Sequence, residues 1–110
     1  AYAQSGESGV RGAISQLFDG MRQADSVAVR AVLAPGMRLQ TVAKNKQGET
    51  VVNDVPIGGF VQSIGQRKAG ELDERLGTYS VNIDGDLATA FTPYTFYFKG
   101  QKSHCGANAF

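Results

Sequence analysis

The run LDERLGTYSVNIDGDLATAFTPYTFYF, residues 72 to 98, decides the fold. Leu72 and Leu76 share one side of an extended chain, whereas Tyr79, Val81 and Ile83 alternate in the opposite phase. A one-residue slip sends every later side chain to the other face, so a change of phase implies an inserted residue. Gly77 lies where the phase changes, which predicts a β-bulge there and a bend in the strand. Asp84-Gly85-Asp86 predicts a tight hairpin turn, Asp-Gly being among the strongest short turn signals. Leu87 to Phe98 then reads as one long strand, Lys99-Gly100-Gln101 as a turn, and Lys102 to Phe110 as the strand that pairs back. Three successive antiparallel strands with a bend in the first form a sheet that curls.

Upstream of this meander the apolar period changes. Val10, Ile14, Leu17, Phe18 and Met21 recur at three- and four-residue spacing, predicting an amphipathic helix over Glu7 to Arg22. Asp25 is placed to cap a second, short helix holding Val29, Val32 and Leu33, which Ala34-Pro35-Gly36 ends. Met37 to Lys44 and Glu49 to Asn53 read as a hairpin around Asn45-Lys46-Gln47-Gly48. Pro56 opens a third helix with Ile57, Phe60, Val61 and Ile64 on its buried side, and Gly58-Gly59 is expected to permit close helix–sheet contact. A basic loop, Gln66-Arg67-Lys68, follows. Helices gather towards the front and antiparallel strands at the back, an α+β pattern. The expected architecture is a cone-like roll, a curved antiparallel sheet wrapped on three helices with a hollow between them.

Composition sets the outer bounds. A chain of 110 residues has room for one core, expected over residues 7–110 behind a tail at 1–6. A formal net charge of +1, with Lys and Arg scattered, supplies no basic stripe for a phosphate backbone and argues against a nucleic-acid partner. No apolar run approaches the length needed to span a bilayer, so a soluble chain without a membrane partner is expected. Ala1-Tyr2-Ala3 before Gln4 matches the small-x-small end of a secretory signal peptide, which implies a periplasmic or secreted protein. An arbitrary start explains the same three residues and leaves a cytoplasmic location open. One cysteine and one histidine supply neither a disulfide framework nor a conventional metal site, and no cofactor is implied.

Two strand motifs carry a resemblance. Asp86 to Phe98, followed by Gly100 and then Ser103-His104-Cys105-Gly106-Ala107-Asn108-Ala109-Phe110, resembles the nuclear-transport-factor-2-like superfamily, in particular its bacterial branch labelled lumazine-binding or SnoaL-like. The resemblance covers the whole element order. Because the superfamily hosts isomerases, cyclases, dehydratases, hydrolases and adaptors, it implies a fold and no single activity. It also implies pairing of two copies back to back through the sheet, and a closing strand after Phe110 beside the first hairpin.

His104 is the sharpest candidate for chemistry, as the one side chain whose ordinary titration lies near neutrality. On its strand it shares a face with Gly106, Asn108 and Phe110, so it is placed to act as general acid or base while Asn108 bonds a ligand oxygen. A structural histidine tying strand to helix is the plainer alternative. Tyr94 shares a face with Ala88, Ala90, Thr92, Phe96 and Phe98, and its hydroxyl is placed to donate to a ligand carbonyl or an oxyanion. Phe96, Phe110, Phe18 and Phe60 complete the expected walls. Tyr97, with Phe91, Pro93 and Thr95, belongs to the opposite, association face. Asp19 lies opposite the apolar stripe and is expected to be solvated. Asp73, Glu74 and Arg75 read as an exposed strand start, Cys105 as a small buried hydrophobe, and Arg38 and Gln40 as groups able to reach a ligand if their face is inward. A small-molecule-binding module is the leading expectation. A cofactor-free isomerase, cyclase or dehydratase using His104, or a module docking through its sheet, are the alternatives.

Overall fold

The apolar stripe of the first helix meets its partners in the computed structural model, which describes residues 6 to 110. The signal-peptide reading of Ala1-Tyr2-Ala3 therefore lies outside the described residues. Helix α1 runs Glu7–Arg22 and buries Ile14, Phe18 and Met21. Its ends suit the helix dipole, with Glu7 in the first turn and Arg22 in the last. Ala24 takes a left-handed conformation (φ 55°) that reverses the chain, and Asp25 then starts α2, Ser26–Ala31. The Asp25 carboxylate accepts from the backbone N–H of Ala28 at 3.0 Å, the cap expected from the sequence. Gly20 makes the approach of α1 and α2 possible, since a Cβ there would lie 2.8 Å from Cγ2 of the fully buried Val29. Replacing Asp25 by Ala is expected to cost about 1 kcal/mol, read as a lower urea midpoint at unchanged slope.

Strands β1 (Leu39–Lys44) and β2 (Thr50–Val55) form the expected hairpin. The Asn45 side chain organises its turn by accepting from the N–H groups of Gln47 and Glu49. Helix α3, Ile57–Gly65, begins after Pro56 and buries Val61 and Ile64. Gly58 and Gly59 do not mediate close packing: both face open space, because they fall on the side of α3 opposite its buried stripe.

The meander follows as β3 (Leu72–Leu76), β4 (Val81–Asp84), β5 (Leu87–Phe98) and β6 (Gln101–Ala109). β3 and β4 pair with one edge of β5 in succession, and β6 pairs with the other. Leu76 is opposite Tyr94 and Val81 opposite Ala90, so four residues, Gly77 to Ser80, face three, Phe91 to Pro93. This is the inserted residue that the phase change demanded. Leu72, Leu76, Tyr79 and Val81 consequently all pack against the one core built from α1, α2, α3 and Ala90. Arg11 ties the irregular stretch to α1 by donating to the carbonyl of Tyr79 at 2.8 Å and lying over its ring. The turn into β6 uses Lys99 (φ 52°) and Gly100 (φ 81°), two left-handed positions that match strand twist in a two-residue hairpin.

The result is an α+β roll of three helices and curved antiparallel sheets. The β1–β2 hairpin forms a sheet of its own, and among the described residues the outer edge of β6 has no strand partner. The radius of gyration is 14.7 Å, against roughly 13 Å for a compact domain of this length. Cys105 is exposed rather than buried, as is most of its edge strand. No helix among the described residues is long and apolar enough to cross a membrane.

Candidate functional site

Register across β3, β5 and β6 decides which side chains meet. Glu74 is opposite Phe96, and Phe96 opposite His104. Leu76 pairs with Tyr94 and Tyr94 with Gly106, while Thr92 pairs with Asn108. These residues alternate onto the same face as Ala90, the face that packs on α1. The register thus brings His104, Tyr94, Phe96, Asn108 and Phe110 to one side of the sheet, with Glu74, a carboxylate absent from the sequence-predicted site, among them.

Glu74 is half-buried, not part of an exposed strand start, and Asp73 is sheltered with it. The Asn108 amide donates to Glu74 Oε2 at 2.7 Å and to Thr92 Oγ1 at 3.3 Å. An ionised carboxylate only accepts, so the amide must turn its nitrogen this way. Thr92 is fully buried, which anchors the group to the core. Burial pushes the Glu74 carboxyl above its ordinary range, against the Asn108 hydrogen bond and the nearby His104, which lower it. Burial likewise raises the Tyr94 phenol, and the Glu74 charge adds to the effect.

Aromatic rings surround this polar group. Tyr94 meets His104 edge-on at 5.8 Å, and Phe96 lies 5.3 Å from the same imidazole. The Tyr94 ring reaches across β6, and a Cβ on Gly106 would sit 2.9 Å from its hydroxyl. Gly106 is thus the space that lets the phenol lie there. Phe18 is buried and packs edge-on against Phe110 at 6.2 Å. Phe60 stands on α3 and packs against the buried cluster. His104 itself is exposed, with Nδ1 3.0 Å from Ser103 Oγ.

A groove of about 370 Å³ runs between α1 and β3, bordered by Phe18, Glu74, Leu76, Tyr79, Asp19 and Arg22. Arg22 bridges Asp19 at 2.8 Å and Asp73 at 3.1 Å, and Arg75 holds Asp73 at 2.9 Å while lying over the Tyr97 ring. Burial alone would raise the Asp73 carboxyl, but these two guanidinium hydrogen bonds outweigh it and hold it below the ordinary range. Asp19 is solvent-facing as expected. Arg38 and Gln40 both bond Asp54 on the exposed hairpin at 3.0 Å and take no part in the groove.

A structure of an NTF2-like protein of unknown function from Shewanella baltica OS155 is similar over 92% of this chain and 89% of that one, with a TM-score of 0.56 at 15% identity. The chain has the nuclear-transport-factor-2-like fold. No family model matches the sequence. No curated protein matches it either. In a chain with this fold the missed residue had one readable signal. Glu74 falls between Leu72 and Leu76 on the side of β3 that alternation turns inward, where an acid needs a partner.

Proposed function

We propose that the protein binds a small molecule on the inner face of its sheet, with Glu74, Asn108 and Thr92 as the polar anchor and Tyr94, Phe96, His104, Phe18 and Phe110 as walls. The observation that carries this reading is the fixed Asn108 amide, held between a half-buried carboxylate and a fully buried threonine beside an open groove. A few convergent polar groups among apolar walls are what small-molecule sites require. The motifs at 86–98 and 103–110 support a place in the SnoaL-like branch. Native mass spectrometry of freshly purified protein checks the reading. A retained small molecule is expected, released on denaturation and lost on Asn108→Leu. A bare chain mass from gentle conditions, with no heat-stability gain from any compound in a metabolite screen, would count against it.

A cofactor-free acid–base enzyme is a second reading, favoured by Glu74 and His104 lying on one face with Tyr94 between their strands. It requires His104→Ala to abolish turnover, whereas a pure binding module retains its ligand at weakened affinity. Docking through the outer sheet face is a third, favoured by Phe91 and Leu87, which are 65% and 67% exposed. We propose the same face, with Tyr97, as the contact between two copies.

A further inference from the structure

We propose that the anchor selects a flat aromatic ligand bearing a cationic, hydrogen-bond-donating nitrogen, of the aryl amidine or aralkylamine class. The inference rests on the small-molecule reading above and adds the chemistry of what is bound.

Counting donors and acceptors leads to it. An Asn amide has two N–H donors and one acceptor oxygen. Both donors of Asn108 are engaged by the nitrogen's contacts to Glu74 and Thr92, leaving Oδ1 to accept. Glu74 Oε2 is occupied, whereas Oε1 has no protein hydrogen bond among the described residues. No buried side-chain nitrogen or oxygen among those residues lacks a partner, so these open acceptors face solvent. What the anchor offers an incoming molecule is therefore a pair of acceptors, one of them charged. A ligand carboxylate or phosphate meets no free donor in the anchor and is repelled by Glu74.

The surrounding charges sharpen the preference. Asp19 and Asp73 each hold a guanidinium, and the two arginines bordering the groove region, Arg22 and Arg75, are engaged by them. Glu74 forms no ion pair with any described residue. It is the half-buried carboxylate of this face that the chain leaves without a cation, and burial raises its proton affinity accordingly. The groups facing it are Tyr94 from β5, His104 and Asn108 from β6, and Asp19 and Arg22 across the groove from α1. Among these His104, when protonated, competes for the same carboxylate. The faces of Tyr94 and Phe96 accept a flat cation as well, and this chain already rests guanidinium groups on aromatic rings at Tyr79 and Tyr97.

Three molecules of nearly one shape test the proposal: benzamidine, benzamide and benzoate, as cation, neutral amide and anion. Each is titrated into ¹⁵N-labelled protein, with the Asn108 side-chain amide as reporter. Benzamidine is expected to bind roughly tenfold more tightly than benzamide, with benzoate weakest. Its affinity should rise with pH as Glu74 ionises. Glu74→Gln should bring the benzamidine-to-benzamide ratio close to one. Asp54→Asn, which changes net charge by the same amount on the exposed hairpin, should leave that ratio intact. Benzoate binding as well as benzamidine, or a ratio indifferent to Glu74→Gln, overturns the proposal. A neutral dye, N-phenyl-1-naphthylamine, separates the two layers. Dye bound beside Phe18 and Tyr94 without benzamidine preference removes the cation inference and leaves the small-molecule reading standing. Failure of the dye and all three probes removes both.

Discussion

Phe18→Ala is expected to lower the stability of the domain by about 3–5 kcal/mol, roughly a fifth or more of what a domain of this kind possesses. The size follows from position. Phe18 is only 6% exposed, lies one turn from Ile14 and Met21 on α1, and meets the ring of Phe110 edge-on at an interplanar angle of 78°. Truncation removes the transfer free energy of the ring, leaves a void that neighbours on a helix and a sheet fill only partly, and forfeits an aromatic contact of roughly 0.5–1.5 kcal/mol. Phe110 is 46% exposed, so its loss is the smaller part. Urea unfolding reads the effect as a fall in midpoint at constant slope. Phe18→Leu, which keeps most of the volume, should cost under about 1.5 kcal/mol. A Phe18→Ala loss below about 1 kcal/mol would mean that α1 settles onto the sheet without it, and that Phe18 walls no persistent hollow.

Phe18 also illustrates what was legible in the sequence. Local periodicity placed it on the buried stripe of α1, and the same kind of pattern located the bulge at Gly77 and grouped Ala90, Thr92, Tyr94 and Phe96 on one face of β5. These features depend on neighbours in sequence, where spacing alone decides the face. Glu74 depends on a residue 34 positions away. Its burial is tolerable because Asn108, itself anchored on Thr92, donates to it, and no local pattern announces that partnership. Cys105 fails for a different reason. It reads as a small buried hydrophobe, yet β6 is an edge in the described chain, so residue type did not foretell exposure. Gly58 and Gly59 show a third limit, because a glycine pair looks alike whether it admits a neighbour or merely faces water. The fold was therefore readable from spacing, whereas the polar anchor required register between strands.

Asn108→Asp should turn that anchor into a strongly pH-dependent liability. Asn108 Nδ2 now donates to Glu74 Oε2 at 2.7 Å, and the substitution sets a second carboxylate at the same distance in a half-buried setting. Two carboxylates at such range do not both ionise readily, so the pair keeps one proton to a pH well above the ordinary carboxylate range. The folded state then binds more protons than the unfolded chain, and stability must fall as pH rises through that interval. Below the unfolded carboxylate range the shared proton makes a carboxyl–carboxylate hydrogen bond or both groups are neutral, and the variant should approach wild type. Above the folded titration it should lose on the order of 2–4 kcal/mol, the repulsion of unit charges about 4 Å apart at an effective dielectric near 20 after relaxation. Wild-type Glu74 carries the same sign in weaker form, since its folded value is also raised. Asp73 carries the opposite sign, its carboxyl being held low by Arg22 and Arg75, so its contribution is present at neutral pH and lost on acidification. Urea midpoints of the variant and wild type, taken from acid to mild base, should therefore diverge steadily towards high pH. Parallel curves would mean that Glu74 and position 108 part freely in solution, and the polar anchor proposed for the ligand would lose its rigidity with them.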